Sequence, residues 1–209
     1  MTRHRTIVSR PSQLFSLIIY LFLATQTTLT ASAKCKPGPS SQAGSTVPIP
    51  LFDVANVFAP SKEPQDPTAL AQISHTLALY PLSLDGKDFS QLKNVFFEDA
   101  IANYSAPIGV ATGLSAIEAT VERALQLVTT QHSLGTQTIV LDKSGCKARA
   151  LTYLTASHFG KGKYEGQVAY AYGEYQDVLA KDGKDWKIQI RILQYQVSDA
   201  QYAGLCVGT

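Results

Sequence analysis

Between residues 64 and 130 apolar side chains recur at helical spacing, and beyond residue 130 they recur at every second position, so a helical part precedes a run of strands. Asp66-Pro67 reads as a helix start, with the aspartate as cap and proline at the first helical position. Leu70, Ile73, Leu77, Tyr80 and Leu84 then follow at steps of 3, 4, 3 and 4, on one stripe. Pro81 lacks an N–H and crowds the preceding carbonyl, so it is expected to kink or end this helix about one turn before the Asp85-Gly86 turn. A second short helix is expected over 88–97, with Asp88 and Gln91 at capping-box spacing, then a short strand over 100–105. Ser115 and Glu118 repeat the capping-box spacing before a helix that puts Ile117, Val121, Leu125 and Val128 on one face.

The period-two part resolves into strands at 131–141, 147–159, 167–179 and 186–197, the last two joined by the turn Lys181-Asp182-Gly183-Lys184. In the last strand Trp186, Ile188, Ile190 and Ile192 alternate with Lys187, Gln189 and Arg191, the period of a strand. Helices gathered before a four-strand antiparallel meander define an α+β domain over 64–200, its curved sheet curled over the helices around an apolar pocket. Residues 201–209 form a tail.

The N-terminal third carries location rather than chemistry. Arg3, Arg5 and Arg10 precede an apolar run over 14–24, and Ala31-Ser32-Ala33 has the small residues of a processing site. Together these read as a secretory signal over 1–33, since the run is short of the roughly 20 residues a bilayer span needs. The protein is therefore expected to be secreted, with no membrane association once the signal is removed. Residues 34–63, rich in Pro, Ser and Gly, read as an extended arm whose apolar cluster of Ile49, Leu51, Phe52, Val54, Val57 and Phe58 could dock on the domain. An exported chain can oxidise one pair among Cys35, Cys146 and Cys206. The pairing is open, with Cys35 and Cys206 favoured because a crosslink there ties down both ends. Asn103-Tyr104-Ser105 is a glycosylation sequon, meaningful only if Asn103 faces solvent.

The 209 residues carry 18 Lys plus Arg against 16 Asp plus Glu. Taking Arg3, Arg5 and Arg10 from the 18 leaves 15 basic residues against 16 acidic ones, so nothing suggests a nucleic-acid partner. No CxxC, HExxH, GxGxxG or GxxxxGK[ST] pattern occurs, and neither a metal nor an organic cofactor is expected.

Candidate chemistry lies where polar residues interrupt apolar patterns. His158 ends the run Ala148, Ala150, Thr152, Leu154, Ala156, which points it inward; His132 opens the preceding strand, and Asp85 sits where the first helix ends. Tyr104 lies opposite Asn103 on the short strand. Two imidazoles, a carboxylate and a phenol are what proton abstraction beside a carbonyl requires: a base near ambient pH, a group that fixes its tautomer, and a donor for the enolate oxygen.

The stretch LALYPLSLDGKDFSQLKNVFFEDAIANY, the segment TTQHSLG, the run YLTASHFGKG and the hairpin GEYQDVLAKDGKDWKIQIRIL resemble the SnoaL-like branch of the NTF2-like superfamily, and within it the scytalone dehydratases. The resemblance covers about 68–197 and implies an NTF2-like cone, a curved, mostly antiparallel sheet wrapped around N-terminal helices. It also implies removal of water from a hydroxylated ring ketone without metal or organic cofactor. On that likeness His132 is the proton-transfer residue, Asp85 orients His158, and Tyr104 holds the carbonyl oxygen, while the position of a second tyrosine falls on Leu84. The implied partner is a small apolar hydroxy-ketone or polyketide-like ligand, turned over by a dehydratase or isomerase. The alternatives are a non-catalytic secreted binder, or an interaction protein that presents Tyr170, Tyr172 or Tyr175 on its outer sheet face as a homodimer or trimer.

Overall fold

The computed structural model describes residues 35–59 and 65–196. The signal at 1–33 and the tail with Cys206 lie outside the described residues. The arm contains one short helix, α1 (Leu51–Val57). The domain then runs α2 (Pro67–Asp85), β1 (Phe96–Asn103), β2 (Val110–Thr112), α3 (Leu114–Leu125), β3 (Val128–Leu141), β4 (Lys147–Gly160), β5 (Val168–Asp182) and β6 (Asp185–Tyr195).

Asp66 caps α2 as expected, its side chain accepting from the Thr68 N–H. Pro81 does not end the helix, which continues to Asp85 with Tyr80, Pro81 and Leu84 all buried. Packing of that stripe outweighs one lost backbone hydrogen bond. The helix expected over 88–97 is a 3-10 turn, Phe89–Asn94, with no side-chain cap, and Phe96 already belongs to β1. At α3, Gly113 is the residue before the helix, at φ 87°, a left-handed geometry that favours glycine; Ser115 is inside the helix and caps nothing.

The sheet order is β2-β1-β6-β5-β4-β3, antiparallel throughout except for the parallel pairing of β1 with β6. The parallel pair places the end of β1 beside the meander, a long-range contact that local periodicity does not encode. The inward face of β4 is as expected: Ala148, Ala150, Thr152, Leu154, Ala156 and His158 are all buried. Two one-residue bulges redirect the neighbouring strands. On β3 the register shifts between Leu134 and Gln137, so Thr130 and His132 share a face with Gln137 and Ile139. On β6 an extra residue, Gln189, falls between the pairs Leu179↔Ile188 and Val178↔Ile190. Each bulge adds twist and bend, which curls the sheet around α2.

The β6 bulge interrupts the alternation of the last strand. Trp186 and Ile188 face the core, but beyond Gln189 it is Arg191 and Leu193 that turn inward, and Ile190 and Ile192 face outward beneath the arm. Tyr175 is likewise an interior residue at 3% exposure, whereas Tyr170 and Tyr172, an odd number of positions away on the same strand, are exposed on the outer face.

The arm is strapped across the outside of the sheet. Ser40 gives its backbone N–H and its hydroxyl to the two Asp99 carboxylate oxygens, both at 2.8 Å. Gln189 donates to the Gly38 carbonyl, and the Gln176 amide takes both the N–H and the C=O of Ile49. Asn103 Nδ2 donates to the Thr46 carbonyl, so the sequon's acceptor nitrogen is engaged by the arm rather than turned to open solvent. The disulfide joins Cys35 to Cys146 in the β3–β4 turn, not to Cys206: the arm folds back along the sheet and brings the two Cα atoms to 5.5 Å.

Candidate functional site

Three elements converge at one end of the cone. Gly86 closes α2 by donating to Leu82 O, which leaves Asp85 projecting from the last turn, and Lys87 follows at φ 57°, in the left-handed region. The carboxylate of Asp85 reaches β3 through three hydrogen bonds. Its Oδ1 lies 2.6 Å from His132 Nδ1 and accepts from the Thr130 hydroxyl at 2.9 Å, and its Oδ2 accepts from the His132 backbone N–H at 2.9 Å. Lys87 Nζ donates to the Thr130 hydroxyl at 3.3 Å, extending the chain of donors. Burial opposes ionisation of Asp85, but the hydrogen bonds from His132 and Thr130 outweigh it and hold the carboxyl below the usual carboxylate range.

An ionised carboxylate only accepts hydrogen bonds, so the Nδ1 facing it must carry the proton, which leaves His132 Nε2 as the basic nitrogen. The His132 side chain is 6% exposed. The His158 ring stands edge-on to it, centroids 5.9 Å apart. The resemblance paired Asp85 with His158; in the structure its imidazole partner is His132, because β3 carries His132 next to the end of α2.

His158 is fully buried. Burial, then the neighbouring His132 and Lys87, push its pKa down from 6.5 to about 4 against a smaller opposing pull from Asp85 and the Ala169 backbone. The folded histidine therefore binds its proton less readily than the unfolded one. Between about pH 6.5 and 4 the unfolded chain holds more protons, and stability falls as the pH is lowered through that window. The loss is expected to reach about 3 kcal/mol at pH 4. Urea unfolding of wild type and His158→Gln across this range checks it: the variant should lack that share of the acid loss, and identical pH slopes in both proteins would refute the assignment.

The wall beside His158 is made of small side chains. Across the β4–β5 ladder His158 pairs with Ala169, Ala156 with Ala171, and Leu154 with Gly173. No inward side chain larger than methyl stands on β5 along these positions.

Tyr104 joins a second cluster, deeper in the cone, rather than the histidines. Its hydroxyl lies 3.1 Å from that of Tyr80. Beside it a buried Arg191 bonds Asp177 in bidentate fashion, Nε and Nη2 each at 2.8 Å from a carboxylate oxygen, and the guanidinium lies over the Tyr80 and Tyr175 rings at 4.1 and 4.2 Å, two rings that meet each other edge to face with centroids 5.5 Å apart. Burial disfavours the guanidinium charge, yet Asp177 holds Arg191 firmly protonated. Burial raises the Tyr80 and Tyr104 hydroxyls well above the ordinary phenol range, so both stay neutral donors. Sequence reasoning passed over Lys87, Thr130, Tyr80, Asp177 and Arg191. A visible signal existed for the last two, opposite charges inside apolar runs of adjacent strands. Among the described residues no group of three His, Cys, Asp or Glu side chains could hold a metal ion.

A curved sheet closed by α2 and α3, with a carboxylate-oriented histidine and a second histidine in its interior, defines an NTF2-like α+β cone. The SnoaL-like domain family matches residues 66–192, and the chain belongs to it. Among solved structures it is similar to a candidate scytalone dehydratase from Novosphingobium aromaticivorans, at 24% identity, a TM-score of 0.56, and coverage of 62% of this chain and 85% of that one. A candidate aromatic ring hydroxylase from the same organism aligns at 20% identity and a TM-score of 0.58, covering 64% of this chain and 94% of that one. A hexachlorocyclohexane dehydrochlorinase, LinA type 2, aligns at 13% identity and a TM-score of 0.56, covering 62% of this chain and 86% of that one. None of the curated proteins matches the chain.

Proposed function

We propose that this protein binds an apolar hydroxy-ketone or polyketide-like molecule in the cone and eliminates water from it, or shifts its double bond, by acid-base chemistry of its own side chains. The observation that carries this reading is the 2.6 Å contact between Asp85 and His132, which leaves Nε2 as a base in an interior lined by small residues. His132 Nε2 takes the proton from the carbon beside the carbonyl, and the released electron pair moves onto the carbonyl oxygen as an enolate. The enolate collapses to a carbon–carbon double bond and expels the β-hydroxyl, which receives the proton from the His132 imidazolium and departs as water. His158, neutral because of its burial, orients the leaving hydroxyl.

Tyr104 receives the carbonyl oxygen. Leu84 stands where the resemblance places a second tyrosine, but Tyr80 lies one helical turn earlier on the same face of α2 and its hydroxyl meets that of Tyr104. Tyr80 therefore supplies the second phenol of an oxygen-binding pair. The reading extends to location: we place the protein outside the cytosol, a reading supported by the Cys35–Cys146 disulfide, which persists in an oxidising compartment.

A panel of cyclic β-hydroxy-ketones incubated with wild type and followed by mass spectrometry tests the function. Loss of 18 Da from at least one member, abolished in His132→Ala, is the expected result. Saturable binding of such compounds with no conversion by wild type would replace the enzyme by a non-catalytic binder.

A further inference from the structure

The strap of the arm over the sheet leaves a cavity of about 200 Å³ on the outside of the cone. Its floor is the outward face of β5 and β6, with Gln176, Val178 and Ile192, and its roof is the arm, with Val47, Ile49 and Phe58. The roof is held from below: the Gln176 amide takes both backbone groups of Ile49, and Gly44 lies against Ile190 and Val178, where an added Cβ would already stand 3.9 Å from each. At the edge stands Arg149, exposed, on β4 directly across from Val178. Among the described residues no acceptor bonds the Arg149 side chain. Of the two carboxylates close by on β5, Asp177 contributes to the wall but turns its side chain to the other face of the sheet, where Arg191 takes it, and Glu174 accepts from the Gln176 amide at 2.7 Å.

An apolar chamber with a single unneutralised cation at its mouth selects for an apolar body that ends in one negative charge. The volume equals the liquid share of about seven water molecules, at ~30 Å³ each, which suits one small ring or a short chain. We propose that this cavity is a binding site for a small apolar monocarboxylate, of benzoate or hexanoate size, whose carboxylate pairs with Arg149 and whose hydrocarbon lies between the arm and the sheet. The site is separate from the cone, since Arg149, Gln176, Val178 and Ile192 face the side of the sheet opposite to His158 and Arg191. It exists only while the arm is docked, so a bound carboxylate also holds the arm down.

Benzoate and its neutral counterpart benzyl alcohol are the probes, titrated by calorimetry into the full oxidised protein. Benzoate is expected to bind wild type with a Kd between about 10 µM and 1 mM, the range that so few atoms can supply. His132→Ala should leave this unchanged. Arg149→Gln, a surface change that the fold tolerates, should weaken benzoate by about tenfold or more and leave benzyl alcohol where it was. Gln176→Leu, which releases Ile49, should weaken both probes alike. Equal benzoate affinity in Arg149→Gln and wild type would overturn the proposal. So would binding that disappears in His132→Ala, which would move the carboxylate into the cone, or no saturable binding by wild type.

Discussion

Arg191→Met is expected to cost the fold about 3–5 kcal/mol, the largest loss of any single substitution outside the hydrophobic core. The cost does not measure the strength of the ion pair. It arises because Asp177, fully buried, would keep its charge or take up a proton with no partner in a low-dielectric interior. The guanidinium also packs over the Tyr80 and Tyr175 rings at 4.1 and 4.2 Å, so its truncation loses both contacts. Removing the pair together separates these effects: Arg191→Met with Asp177→Leu should recover most of the loss, because desolvating two charges costs nearly what their attraction returns. Urea unfolding at pH 7 is the measurement. A single variant within about 1 kcal/mol of wild type, the range of a surface pair, would show that water reaches the cluster.

Asp85→Asn is expected to lower kcat by about 100- to 10,000-fold on any substrate that the hydroxy-ketone panel yields. An amide cannot serve both the imidazole Nδ1–H and the His132 backbone N–H with negative charge, and it can present its own NH₂ to the ring and invert the tautomer. Asp85 touches no reacting atom in this scheme and acts through His132, so ligand affinity should change little while kcat falls. Asp85→Glu, which keeps the charge, should recover part of the rate. A loss confined to affinity, or an equal loss in Asn and Glu variants with a disturbed fold by circular dichroism, would remove the positioning role.

The helices α2 and α3 and the inward face of β4 were legible because one rule, burial of one face, governs them locally. That rule put His158 inside and placed Asp85 at a helix end. It failed at Gln189. Counting back from the Asp182–Asp185 turn without a bulge sets Arg191 beside Gln176; with one extra residue it stands beside Asp177, and the buried pair forms. A bulge is decided by how β6 must bend to meet β1 and α2, which are distant in sequence, so alternation alone assigns Ile190 and Ile192 to the wrong side. Pro81 misled in the opposite direction, since a local penalty was outweighed by tertiary packing of Tyr80 and Leu84. The partner of Asp85 turned on which of two inward histidines the end of α2 meets, a question of how helix and sheet are laid together and not of spacing within either.

The bridge between Cys35 and Cys146 uses two of three thiols, and both belong to the arm's anchorage. Whatever covalent link this chain makes to another molecule through a cysteine, with that bridge intact, runs through Cys206. Coupling at Cys206 and closure of the Cys35–Cys146 bridge are then chemically separate variables.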